Sequence, residues 1–152
     1  MCKGFFRNGY PMIEASLISP IIKRSYRLLF LIDTGSDKTS ITTDEARRMG
    51  IDISRLPQTK SYGISGKPVQ TYIVPDVEIV FVDFSPLHRA MHLHIEKLDN
   101  IVIIEGLPMN LSGMDVISRF NLVIDDTEQI VELNRSEFGK GSHIGITVPV
   151  RP

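Results

Sequence analysis

The sequence contains a single cysteine and no excess of charge of either sign, and each shortage removes a class of function. One cysteine, Cys2, forms no internal disulfide, so a disulfide-stapled secreted scaffold is excluded. Near the N-terminus and with no base beside it in sequence, Cys2 is expected to be exposed and chemically idle. Seventeen Lys and Arg against eighteen Asp and Glu leave a formal net charge of -1, without the basic excess that nucleic acid attracts or the charge block of an interaction tail. Arg, Lys, Asp or Pro interrupts every hydrophobic stretch short of the roughly 18 to 20 residues needed to cross a bilayer. No apolar leader core follows Met1-Cys2-Lys3-Gly4, so the expected setting is soluble and cytoplasmic, with no membrane or nucleic-acid partner. Internal repeats and low-complexity tracts are also missing.

What the 152 residues do contain is 42% hydrophobic side chains, enough for one ordinary core. Most apolar runs are short, β-branched and set between Gly, Pro, Asn and Ser, the pattern of strands and turns. Met12 to Ile18, Leu28 to Ile32, Tyr72 to Val74, Val77 to Val82, Ile101 to Ile104, Leu122 to Ile124 and Ile130 to Leu133 are the expected strands. The last two flank Asp125-Asp126-Thr127 and should form a hairpin. Only two stretches read as helix. Thr43 to Met49 has Thr42 as cap, Glu45 three residues on as capping box, and Gly50 as stop; Met114 to Phe120 follows Gly113. The fold class is mainly β, a closed or nearly closed barrel that protects its edges, with one or two short helices. Residues 1–135 are expected to form the domain and 136–152 a tail, mobile or adding one strand over Ile144 to Val148.

Chemistry concentrates in Leu28-Leu29-Phe30-Leu31-Ile32-Asp33-Thr34-Gly35-Ser36-Asp37-Lys38-Thr39-Ser40-Ile41. A buried apolar strand runs directly into an acid and then a small flexible turn. A carboxylate against such a core needs hydrogen bonds, and the glycine lets backbone N–H groups fold back toward it. The plainer reading is that Asp33 merely opens a turn, and the tripeptide alone does not decide between the two.

The order of the surrounding features does. From about Gly9 to Leu133 the sequence resembles the retropepsin-like aspartic proteases. Asp33-Thr34-Gly35-Ser36 with Thr39-Ser40-Ile41 matches their active-site turn, and Tyr62-Gly63-Ile64-Ser65-Gly66-Lys67 lies where they carry a flap hairpin. Leu111-Ser112-Gly113-Met114-Asp115-Val116-Ile117 resembles the later strand entering a short helix. Two positions depart from the pattern: Ser112 replaces an aliphatic residue, and Met114 replaces the Arg that pairs with the acid matching Asp37.

The resemblance implies an aspartic endopeptidase acting on peptide or protein without metal or organic cofactor. Its water would be activated between two carboxylates, of which one stays protonated. With one Asp-Thr-Gly in the chain, the second carboxylate would be Asp33 of an identical partner in a homodimer. By the same resemblance Thr34 would bond across the axis, Ser36 would donate to the carboxylate, and Asp37, Tyr62, Gly63, Ile64, Ser65 and Gly66 would hold substrate. A catalytically silent dimerisation or peptide-binding domain is the alternative, and an unrelated β-rich small-molecule binder a more distant one.

His88, His92 and His94 fall close together, but without a recognised ligand spacing they read as solvent-facing residues, not a metal site. Met12, Met49, Met91, Met109 and Met114 read as core or interface packing.

Overall fold

The computed structural model describes residues 1–62, 66–85, 90–135 and 143–149. Strands run in the order β1 (Cys2–Lys3), β2 (Phe5–Arg7), β3 (Tyr10–Ile18), β4 (Tyr26–Ile32) and β5 (Ser40–Thr42), followed by helix α1 (Thr43–Arg48). After a 3-10 turn come β6 (Gln58–Tyr62), β7 (Pro68–Ser85), β8 (Ala90–Ile104) and β9 (Asn110–Ser112), then helix α2 (Met114–Ile117). β10 (Phe120–Asp125), β11 (Ile130–Arg135) and β12 (His143–Pro149) complete the chain. Among the described residues no helix is long and apolar enough to cross a membrane.

The larger sheet is paired in the order β12-β8-β5-β9-β4-β3-β7-β6, and β7 also pairs with β8, so hydrogen bonding returns to a strand already used. β1, β11 and β10 form a second sheet. One apolar core lies between the two, and Phe81 of β7 meets Phe120 of β10 edge to face, with centroids 5.4 Å apart.

The expected hairpin is present, with Leu122 opposite Leu133 and Ile124 opposite Val131. Tyr72 to Val74 and Val77 to Val82, expected as separate strands, belong to one. Asp76 adopts φ 52, and the ladder to β8 continues across it. Residues 143–149 add a strand beside β8. The capping of α1 is half as expected. Thr42 Oγ1 accepts from Glu45 N at 3.1 Å and Gly50 takes φ 75, but the Glu45 carboxylate pairs with Arg48. α2 is shorter than expected, because Phe120 leaves the helical course to start β10.

Cys2 corrects an expectation. It is buried, not exposed, because pairing with Leu133 carries β1 into the core. Burial, the leading cause, pushes its thiol from the ordinary 9.0 up to about 12. A raised folded-state value means stabilisation that is complete below pH 9 and lost as pH rises toward 12. At pH 10.5 the wild type should lose about 2 kcal/mol relative to pH 7 that Cys2→Ala does not lose, read from urea midpoints. Identical pH dependence in both would place the thiol in water.

Candidate active site

β9 threads between β4 and β5, parallel to the first (Ile32 opposite Ser112) and antiparallel to the second (Ser40 opposite Leu111). The segment between β4 and β5 therefore closes over the end of β9, and that segment is Asp33 to Thr39. Backbone bonds tie it down at both ends. Asp33 N donates to Ser112 O at 3.0 Å, and Met114 N donates to Ser36 O at 2.8 Å. Gly113 is required by this approach: a Cβ there would lie 2.5 Å from the carbonyl carbon of Lys38. Ser112, the polar residue in place of an aliphatic one, is buried, and its hydroxyl has no partner among the described residues.

Asp115, to which the sequence reading assigned no role, is the main strap. Its carboxylate accepts from Thr39 N at 2.9 Å and from Thr39 Oγ1 at 2.7 Å, and Gly113 N donates to the same hydroxyl at 3.1 Å. The signal available in sequence was an acid in the first turn of a helix opened by Gly113, close to an apolar strand end. Its partner, 76 residues away, was not readable.

Asp33 sits half-buried at the head of the turn. Gly35 N donates to Oδ1 at 2.9 Å, and a Cβ on Gly35 would come 3.2 Å from that oxygen. The loop thus holds one carboxylate oxygen by its backbone and leaves the other toward the surface, beside exposed Thr34. Asp37 is exposed, and with Met114 where a cation was possible no salt bridge engages it among the described residues. Ser36 differs from expectation. Its Oγ donates to Lys38 O at 2.9 Å instead of the Asp33 carboxylate, because the turn folds the side chain back on its own loop and the Gly35 amide already serves Oδ1. Removing that hydroxyl should leave the acid limb of any pH–rate profile within about 0.3 unit of wild type. A shift of a full unit toward neutral pH in Ser36→Ala would show that Oγ serves the carboxylate after all.

The expected flap lies on the β6–β7 hairpin, where Tyr62 pairs with Pro68. Tyr62 is exposed and Gly66 takes φ 68, whereas Gly63, Ile64 and Ser65 lie outside the described residues. A cleft of about 400 Å³ lies elsewhere, lined by Arg7, Tyr10, Met12, Leu29 and Met109, and none of the turn residues lines it. His88 also lies outside the described residues; His92 Nδ1 is 2.9 Å from Thr147 Oγ1. No group of three or more His, Cys, Asp or Glu among the described residues is placed to hold a metal ion. Met12 and Met49 are core residues, Met91 and Met109 are partly covered, and Met114 is exposed.

A crossed-strand scaffold presenting an Asp-Thr-Gly turn defines the acid-protease class. The family model described as aspartyl protease matches residues 22–114, more than half of the chain. The chain belongs to that family and has the retropepsin-like fold. Among solved structures, a retropepsin-like aspartic protease from Rickettsia conorii superposes with a TM-score of 0.56 at 18% identity, covering 97% of this chain and 92% of that one. The retroviral protease-like domain of Ddi1 from Leishmania major gives a TM-score of 0.48 at 13% identity, covering 93% and 94% respectively. No curated protein matches the chain.

Proposed function

We propose that the protein is an aspartic endopeptidase that works as a homodimer, with Asp33 and Asp33 of the partner subunit forming one catalytic dyad. The observation that carries this reading is a single Asp-Thr-Gly turn, strapped by Asp115 and Gly113, that offers one carboxylate oxygen at the surface. Two carboxylates close together share one proton, since both cannot ionise at short range. A water between them loses its proton to the charged member while the neutral one polarises the scissile carbonyl. The resulting tetrahedral species breaks down as the amide nitrogen takes a proton and leaves. No metal or organic cofactor enters this scheme.

Thr34, exposed beside Asp33, would meet its twin across the axis. Substrate would lie extended between the turns and the two β6–β7 hairpins near Tyr62 and Gly66, with the Asp37 carboxylate accepting from its main chain. The return of pairing from β7 to β8 supports reading the large sheet as a closed barrel, and β12 as an addition to a domain ending near residue 135.

Activity per chain should fall steeply once the protein is diluted below its dimer dissociation constant, and sedimentation should show the dimer disappear over the same range. Full specific activity in a demonstrated monomer would overturn the shared site. The silent-domain alternative draws on the Ser112 hydroxyl, buried behind the turn without a partner among the described residues. It predicts a dimer with no pepstatin-sensitive cleavage of any peptide.

A further inference from the structure

The long β7–β8 hairpin runs beyond the core, and β12 lies against its outer part. Register places Val82, Leu93 and Ile146 side by side in one cross-strand row, and Phe84, Met91 and Val148 in the next. Residues two apart on a strand share a face, so these six, continued by Ile95, Ile144 and the buried Val80, make one apolar surface without a charged member among the described residues. Its reverse side carries Phe81 and Ile79 into the core. The outward side stays open, with Phe84 55%, Val82 46%, Ile146 43% and Ile144 41% exposed. β12 is the sharpest case: seven ladder pairs attach it to β8, while both of its isoleucines stay exposed. Strands normally need a covered hydrophobic face for their stability.

We infer that this face docks against the same face of a second copy of the chain. Three features select that occupant. The first is extent: the patch is on the order of 500 Å², at the upper end of what a monomer exposes, and two of them remove about 1,000 Å² from water, where specific interfaces begin. The second is charge. An isologous contact sets each patch against its own image, and a patch with no ionised group among the described residues meets no like charge there. A lipid headgroup would instead want a basic border, whereas Lys97, next along this face, is paired with Glu78 at 3.5 Å. The third is cover from within. The longest segment outside the described residues, 136–142, reads Ser-Glu-Phe-Gly-Lys-Gly-Ser, and its one large apolar side chain is too little for nine. Two such sheets pack face to face about 10 Å apart, with Leu93 at the centre of the patch and near the two-fold axis.

This contact uses strands other than those of the Asp33 turn and does not depend on the proposed catalytic dimer. Where both form, the assembly has four chains; where only this one forms, it has two. In either case sedimentation of the full chain should show Val82→Glu and Ile146→Glu each halving the mass of the wild-type assembly, with the dissociation constant raised about 100-fold or more. Asp33→Asn should leave this contact intact. If the glutamate variants fail to fold by circular dichroism, Val82→Thr and Ile146→Thr keep the β-branched shape and should raise the dissociation constant about tenfold each. Because Cys2 is buried, Leu93→Cys should cross-link two chains under mild oxidant where wild type does not. Unchanged mass in the folded variants with no Leu93→Cys cross-link overturns the inference. So does a wild type that shows no such association and instead co-sediments with phosphatidylcholine vesicles in a manner the glutamate variants lose.

Discussion

Asp33→Asn should abolish peptide hydrolysis, by about 10²- to 10⁴-fold or more, while leaving folding and assembly intact. The amide has the carboxylate's shape and its oxygen still accepts from the Gly35 amide, so the turn keeps the geometry set by Asp115 and Gly113. What it cannot do is ionise. A pair of amides, one from each chain, has no member to take the proton of water and no member to hold one. Loss of repulsion between two acids should also leave the dimer at least as tight as in the wild type. The measurement is a peptide-cleavage assay beside sedimentation of both proteins. Turnover within tenfold of wild type in the variant would move the chemistry away from this turn.

The largest stability effect is expected at Glu96. Its carboxylate is fully buried in β8 and pairs with Arg119 at 3.0 Å and with Arg135 at 3.2 Å. The two guanidiniums are themselves largely covered, Arg135 stacking over Phe120 and Arg119 also donating to Lys97 O at 3.0 Å. This network joins the large sheet to the small one. Glu96→Ala removes the anion and leaves two cations beside apolar side chains, so it should cost about 3 to 5 kcal/mol, a large part of a typical domain's stability. Urea denaturation at neutral pH measures it. A loss below about 1 kcal/mol would mean that both arginines swing out to water without penalty. Replacing all three residues with apolar side chains of similar volume should be far less damaging, because the cost lies in the unpaired charge more than in the lost attraction.

Local chemistry made part of the site legible in the sequence. An apolar run ending in Asp33-Thr34-Gly35 needs only neighbouring residues to define a held carboxylate, and the 2.9 Å bond from the Gly35 amide spans two residues. The Ser36 hydroxyl was harder, since two acceptors lie within reach of one turn, and the backbone path toward Thr39 sent it to Lys38 O. Short strands such as Ser40–Thr42 and Asn110–Ser112 lack the alternation that marks a strand. They exist because β9 passes between two others, a pairing no local window contains.

Composition, the apolar runs and the one Asp-Thr-Gly turn determined by themselves that this chain is mainly β and that Asp33 is its candidate acid. Those features act over a few residues and survive reading one segment at a time. The tertiary structure decided that Cys2 is buried, that Asp115 holds the turn through Thr39, that Glu96 is neutralised twice and that one face of the outer hairpin is exposed among the described residues. Each of these depends on contacts between segments far apart in sequence, and where those segments are strands, register sets which side chains meet. A slip of one residue would turn a strand's side chains, those of Cys2, Glu96 and the outer hairpin included, to the opposite face.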